Sequence, residues 1–144
     1  MKNLTLILFF ILLTSAQSFA QEAAVVRSKV SDFLATLPSD QQSQVLIAME
    51  DSARTAWTNL PLGLAARAGL RYGDLSEESK IAFHKVLSSI FSSQGYLKTF
   101  AIMQVDDILH ELFEIQFQQG KVPERSMEFI RKLNWDYGNY FVAI

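Results

Sequence analysis

The sequence contains no cysteine, only two histidines and three prolines, and no basic run longer than Arg131–Lys132. Without cysteine there are no disulfides, thiolate metal sites or cysteine nucleophiles. The chain must therefore rest on its apolar core. Without clustered Lys and Arg there is no electrostatic footprint for a phosphate backbone, so nucleic acid is excluded as a partner. No glycine-rich loop is arranged to cradle phosphate. Neither histidine has a serine nucleophile motif nearby, so a hydrolase triad finds no support.

Long apolar runs are also absent, with one exception at the N-terminus. In "MKNLTLILFFILLTSAQSFA" a short basic start at Lys2 precedes an apolar block from Leu6 to Leu13, and Ser18 and Ala20 supply the small residues a signal peptidase reads. This is the three-part plan of a secretory signal peptide, with cleavage expected between Ala20 and Gln21. The block is shorter than the roughly 20 apolar residues a bilayer span needs, which disfavours the alternative of an uncleaved anchor. The expectation is an exported protein, periplasmic or extracellular, with no stable membrane insertion after cleavage. The 124 residues from Gln21 to Ile144 carry 12 basic and 15 acidic side chains, a formal charge of −3. That length suffices for one apolar core.

What is present is mostly helical pattern. Val26, Val30, Phe33 and Leu37 recur at steps of four, three and four, one face of a helix that Pro38 ends. Ser39, with Gln42 three residues on, has the spacing of a capping box. "VLIAME" from Val45 reads as a strand, and Thr55 to Asn59 as a second short one ended by Pro61 and Gly63. "AARAGLRYGDL" reads as a connecting loop turning at Gly69 and Gly73. Asp74 or Ser76 then caps a helix lined by Phe83, Val86, Leu87, Ile90 and Phe91, closed at Gly95. The following segment makes a second long helix. Its main stripe is Leu97, Ala101, Val105, Ile108, Leu112 and Ile115, widened by Phe100, Ile102, Leu109 and Phe113. A face this broad places the helix at the centre of the core. The tight connection predicts an antiparallel helix hairpin. "ERSMEFIRKLNWDYGN" mixes a short helix with a turn at Gly138 and Asn139, and "YFVAI" has the composition of a strand. The fold class expected is α+β, predominantly helical, with a central antiparallel helix hairpin and a few short strands.

Candidate chemistry is sparse. Asp106, His110 and Glu114 share one helix face at four-residue steps, a spacing compatible with a divalent metal. The same residues equally form the polar side of an amphipathic helix, and "HELFE" lacks the second histidine of a zinc-protease helix. No metal site and no cofactor is assigned. His84, among Lys80, Lys85 and Ser88, reads as a solvated histidine. Arg54 and Trp57 in "DSARTAWTNLP" favour recognition by type, one through its planar fork and the other through a flat apolar face. The structural alternative pairs Arg54 with Glu50 or Asp51 and buries Trp57 in the core.

One set of spacings goes further. Asp51-x-x-Arg54-x-x-Trp57-x-x-x-Pro61, then Gly69-Leu70, then Gln94, Gly95, Tyr96 and Lys98 in "QGYLK", then Ile102 and Asp106-x-x-Leu109, resemble the family known as domain of unknown function 3500. The resemblance runs from about Val45 onward. It implies an exported bacterial protein and a domain more than twice as long, in which a segment similar to "NYFVAI" leads into a Phe-Gly turn, a tryptophan and a Gly-His-His motif. By residue type those paired histidines imply a metal or acid–base site in the full protein that this chain lacks, and the resemblance names no reaction. The expectation is therefore a signal peptide over residues 1–20 and, over residues 21–144, the incomplete N-terminal part of a longer domain. Such a part is inactive alone, and its chemistry, enzymatic or not, is unassigned. The alternative is a small exported binding module that holds a ligand or protein partner of unknown identity through Arg54 and Trp57.

Overall fold

The computed structural model describes residues 22–56 and 58–144. The expected signal peptide, its expected cleavage point between Ala20 and Gln21, and Trp57 lie outside the described residues. Helix α1 covers residues 22–35. Its apolar steps converge on Phe33, fully buried, and on Leu37 just beyond the helix, 5% exposed. The chain stops there because Thr36 turns both its N–H and its Oγ1 onto the Phe33 carbonyl and Pro38 follows.

Helix α2, Ser39–Val45, begins after Pro38 with no side-chain cap. Ser39 is therefore not the N-cap. Gln42 sends its Nε2 back to the Leu37 carbonyl at 2.9 Å instead of closing a capping box. The strand expected from Val45 is a helix end followed by extended chain. Ile144 N–H donates to Val45 O and Ile47 N–H to Ile144 O, at 2.8 and 3.0 Å, so the segment is extended and paired but too briefly to form a ladder. The second expected strand, near residue 55, is not found among the described residues. Ser52–Arg54 forms a 3-10 turn, because Asp51 accepts from the Ala53 N–H and closes it.

Within the expected connecting loop lies strand β1, Leu70–Arg71, paired antiparallel with β2, Phe141–Val142. Leu70 faces Val142 and Arg71 faces Phe141. Gly69 enters β1 with φ +104, and a Cβ there would stand 2.5 Å from the Val142 carbonyl oxygen. Only glycine fits both constraints. A 3-10 turn at Tyr72–Asp74 then leads to α3, Glu77–Ile90. Ser76 is its N-cap, accepting from the Ser79 N–H, and Glu77 and Glu78 stand at its positive end.

Helix α4, Ser93–Gln118, follows after only Phe91 and Ser92. Gly95 is not the end of α3. It lies inside the first turn of α4, its N–H donating to the Ser92 capping hydroxyl at 3.2 Å. Two extended residues make the connection, so no left-handed glycine is needed. Helix α5, Glu124–Leu133, ends at Asn134 in the left-handed conformation with φ 57. The described residues are thus mostly helical with one small antiparallel sheet.

The core joins α1, α2, β1, α3, α4 and β2 through Phe33, Leu37, Val45, Leu70, Tyr72, Leu75, Val86, Met103 and Val142. One expectation about α4 fails here and a second is not confirmed. Its main stripe does not face the core: Leu97 and Ile108 are each 60% exposed and Leu112 44%. The opposite side packs instead, through Phe100, Met103, Asp106, Leu109, Phe113 and Phe117. A central hairpin is also not confirmed. Side-chain contact between α3 and α4 gathers near their connection, where His84 meets Tyr96 and Phe100. The far half of α4 packs on α5, with Arg131 gripping Glu114 by two bonds of 2.9 Å and Phe113 stacking on Trp135.

Candidate functional site

The segment "NWDYGNY" between α5 and β2 is short, polar and aromatic, and side-chain hydrogen bonds tie it to β1 and α4. Arg71, projecting from β1, donates to Asn139 Oδ1, Asp136 Oδ1 and Asp74 Oδ1 at 2.5, 3.0 and 3.0 Å. Asp136 Oδ1 also takes the Gly138 N–H, and Asn139 Nδ2 donates to the Asn134 carbonyl. Asp107, on α4, accepts from the Tyr137 N–H at 2.6 Å. One guanidinium and one carboxylate thus pin both sides of the turn.

That turn forms one wall of a cleft of about 470 Å³, a volume within the usual range for small-ligand sites. Trp135, Asn134 and Tyr140 come from the turn, Asp106 from α4, and Asn59, Pro61 and Arg67 from the loop before β1. Tyr140 donates its hydroxyl to Asp106 Oδ2 at 2.9 Å. Burial, and the negative charge of Asp106 beside it, push the Tyr140 phenol well above its ordinary range, so it remains a donor. Arg67 donates to the Ala65 and Leu60 carbonyls and so holds the loop in its curve. Neither Asp106 nor Arg67 takes part in an ion pair among the described residues.

A second polar cluster lies at the junction of α3 and α4. His84 is half-buried and hydrogen-bonded rather than freely solvated. Its Nε2 lies 3.0 Å from the Tyr72 hydroxyl and its Nδ1 2.5 Å from the Tyr96 hydroxyl. Its ring stacks on Phe100 at 4.3 Å and 14°. Burial holds the His84 pKa below its ordinary value. In the neutral ring one nitrogen donates and the other accepts, and two hydroxyls satisfy both roles. Burial, with Tyr137 nearby, likewise raises the Tyr72 phenol. The cluster is a satisfied bridge between helices.

A family model described as "Protein of unknown function (DUF3500)" matches residues 19–144. The chain belongs to the DUF3500 family. No curated protein and no solved structure matches it.

The DUF3500 motif residues do not gather in one place. Pro61 and Asp106 meet at the cleft. Asp51 caps its own turn. Arg54 is exposed, yet its Nε and Nη2 grip the Ile47 and Ala48 carbonyls at 2.7 to 3.1 Å, and it pairs with neither Glu50 nor Asp51. Both residues build the loop. Gln94 and Lys98 stand exposed on the first turns of α4, Gly95 sits at its cap, and Tyr96 belongs to the His84 bridge. Two of the three potential metal ligands of α4 are otherwise engaged: Glu114 is committed to Arg131, which lowers its pKa, while Asp106 accepts from Tyr140. Among the described residues no group of three His, Cys, Asp or Glu could hold a metal ion. No described helix is long and apolar enough to cross a membrane. Sequence reasoning missed Arg67, Trp135 and Tyr140. The one available signal was the density of Asn, Asp, Tyr and Trp between the last helix and the last strand.

Proposed function

We propose that this DUF3500 chain is exported and forms the N-terminal part of a longer domain, to which it contributes a ligand-holding cleft. The observation that carries this reading is the open face of α4. Leu97, Val105, Ile108, Leu112 and Ile115 lie along one side of a 26-residue helix, each between 44% and 60% exposed. With Ala101 they repeat at steps of four, four, three, four and three, the spacing that a second helix packed alongside would use. A contiguous apolar stripe of this kind marks an interaction surface. Further polypeptide of the domain is the occupant we assign. The signal-peptide pattern ending at Ala20 supports export.

The test is direct. The chain is expressed with its leader, fractionated, and its N-terminus sequenced; Gln21 as first residue in the exported fraction is expected. The exported protein should bind a hydrophobic dye, and Ile108→Lys with Leu112→Lys should abolish that signal. A dye-silent, monomeric wild-type chain would refute the open face. The binding reading is favoured separately by the cleft; Arg54, by contrast, spends its Nε and Nη2 on backbone carbonyls.

A further inference from the structure

The cleft is lined by two opposite charges, Asp106 and Arg67, that have no charged partner among the described residues. Asp106 is half-buried; one of its oxygens takes the Tyr140 hydroxyl and the other has no hydrogen bond among the described residues. Arg67 is half-buried as well. It spends one N–H of each terminal nitrogen on carbonyls, and its Nε makes no hydrogen bond among the described residues. Arg71 and Arg131, by contrast, each have carboxylates against them, and Glu77, Asp136 and Glu114 have cations against them. The free Asp106 oxygen and the free Arg67 Nε–H line one cleft, so each can take a ligand group of opposite charge there. Trp135 adds an apolar wall to the same cleft, one that Phe113 holds in place by stacking at 5.7 Å.

We infer that the cleft binds a small zwitterion, its ammonium on Asp106, its carboxylate on Arg67 and its apolar part against Trp135. The assignment rests on the reading of the cleft as a binding site. The chemistry is that of a free α-amino acid or of a dipeptide, which share an ammonium and a carboxylate and differ in the distance between them. A guanidinium forks onto a carboxylate, whereas an ammonium takes a carboxylate oxygen as a point charge. Tyr140 orients the Asp106 carboxylate so that its free oxygen is the one offered. A neutral sugar leaves both charges uncompensated, and an amine or an acid alone leaves one.

The experiment is isothermal titration calorimetry of the exported chain with phenylalanine, alanyl-phenylalanine, phenethylamine, 3-phenylpropanoate and glucose. Binding by phenylalanine or by the dipeptide is expected, at least tenfold tighter than by the amine or the acid; whichever of the two binds tighter identifies the source. Asp106→Asn, which keeps an acceptor for Tyr140, should weaken that binding at least tenfold with an unchanged circular dichroism spectrum. Arg67→Lys, which keeps the charge but loses the fork, should also weaken it. Equal affinity for the amine or the acid, a preference for glucose, or full binding by Asp106→Asn overturns the zwitterion assignment while leaving the cleft a binding site. No heat with any of the five probes overturns both readings.

Discussion

The exposure of α4 predicts that two apolar truncations of similar chemistry will differ severalfold in cost. Ile108→Ala removes three carbon atoms, each worth about 0.8 kcal/mol when wholly buried. Ile108 is 60% exposed, so about two-fifths of that sum, about 1 kcal/mol, is lost. Phe33 is fully buried and packs on Phe83 at a ring separation of 5.4 Å. Phe33→Ala leaves a cavity in a closed core and should cost about 3–5 kcal/mol. Urea unfolding followed by circular dichroism measures both, with equal m-values required for the comparison. The ratio matters more than either figure, since errors in the unfolded reference fall on both variants. If Ile108→Ala costs as much as Phe33→Ala, the stripe is covered in the isolated chain and the reasoning from exposure is wrong.

Other consequences are as specific. His84 is held neutral, its pKa below the ordinary value, so the unfolded chain takes up a proton first as the pH falls. The stability this contributes is present above about pH 6.5 and is lost as the pH drops toward the lowered folded value. Melting temperature against pH should therefore fall more steeply for the wild type than for His84→Gln across that window; parallel curves would show that His84 is not the titrating group. Ser76→Ala removes the α3 cap and should cost about 1 kcal/mol, while Ser76→Asp should cost almost nothing. Gly69→Ala meets both a φ of +104 and the Val142 carbonyl, so it should destabilise by more than about 1 kcal/mol and raise amide exchange in β1 and β2. Protection unchanged at Leu70 and Val142 would contradict that account.

Much of the secondary structure was legible in the sequence. Pro38, Ser76 and the turn at Gly138 and Asn139 mark boundaries through local chemistry, and the structure places them at boundaries. The DUF3500 motifs were legible as a pattern, but not as a site. Asp51 and Arg54 are spaced to build a turn and to hold two carbonyls, and spacing alone does not distinguish that from recognition. The cleft was not legible. Arg67, Asp106 and Tyr140 lie far apart in sequence yet line one cleft, and Tyr140 reaches Asp106 because Arg71 and Asp107 pin the 134–140 turn beside α4.

The sequence by itself determined helix existence, the lack of disulfides and the pairing-prone "YFVAI" segment, because each depends on residue type or on contacts a few positions apart. Only the tertiary structure decided which side of α4 is inside. That helix is apolar around much of its circumference, so periodicity selected the widest stripe. The core instead took the side carrying Phe100 and Met103, because Tyr72, His84 and Phe83 approach from there. Burial is a property of what packs against a face, and a single sequence shows the face without showing its partner.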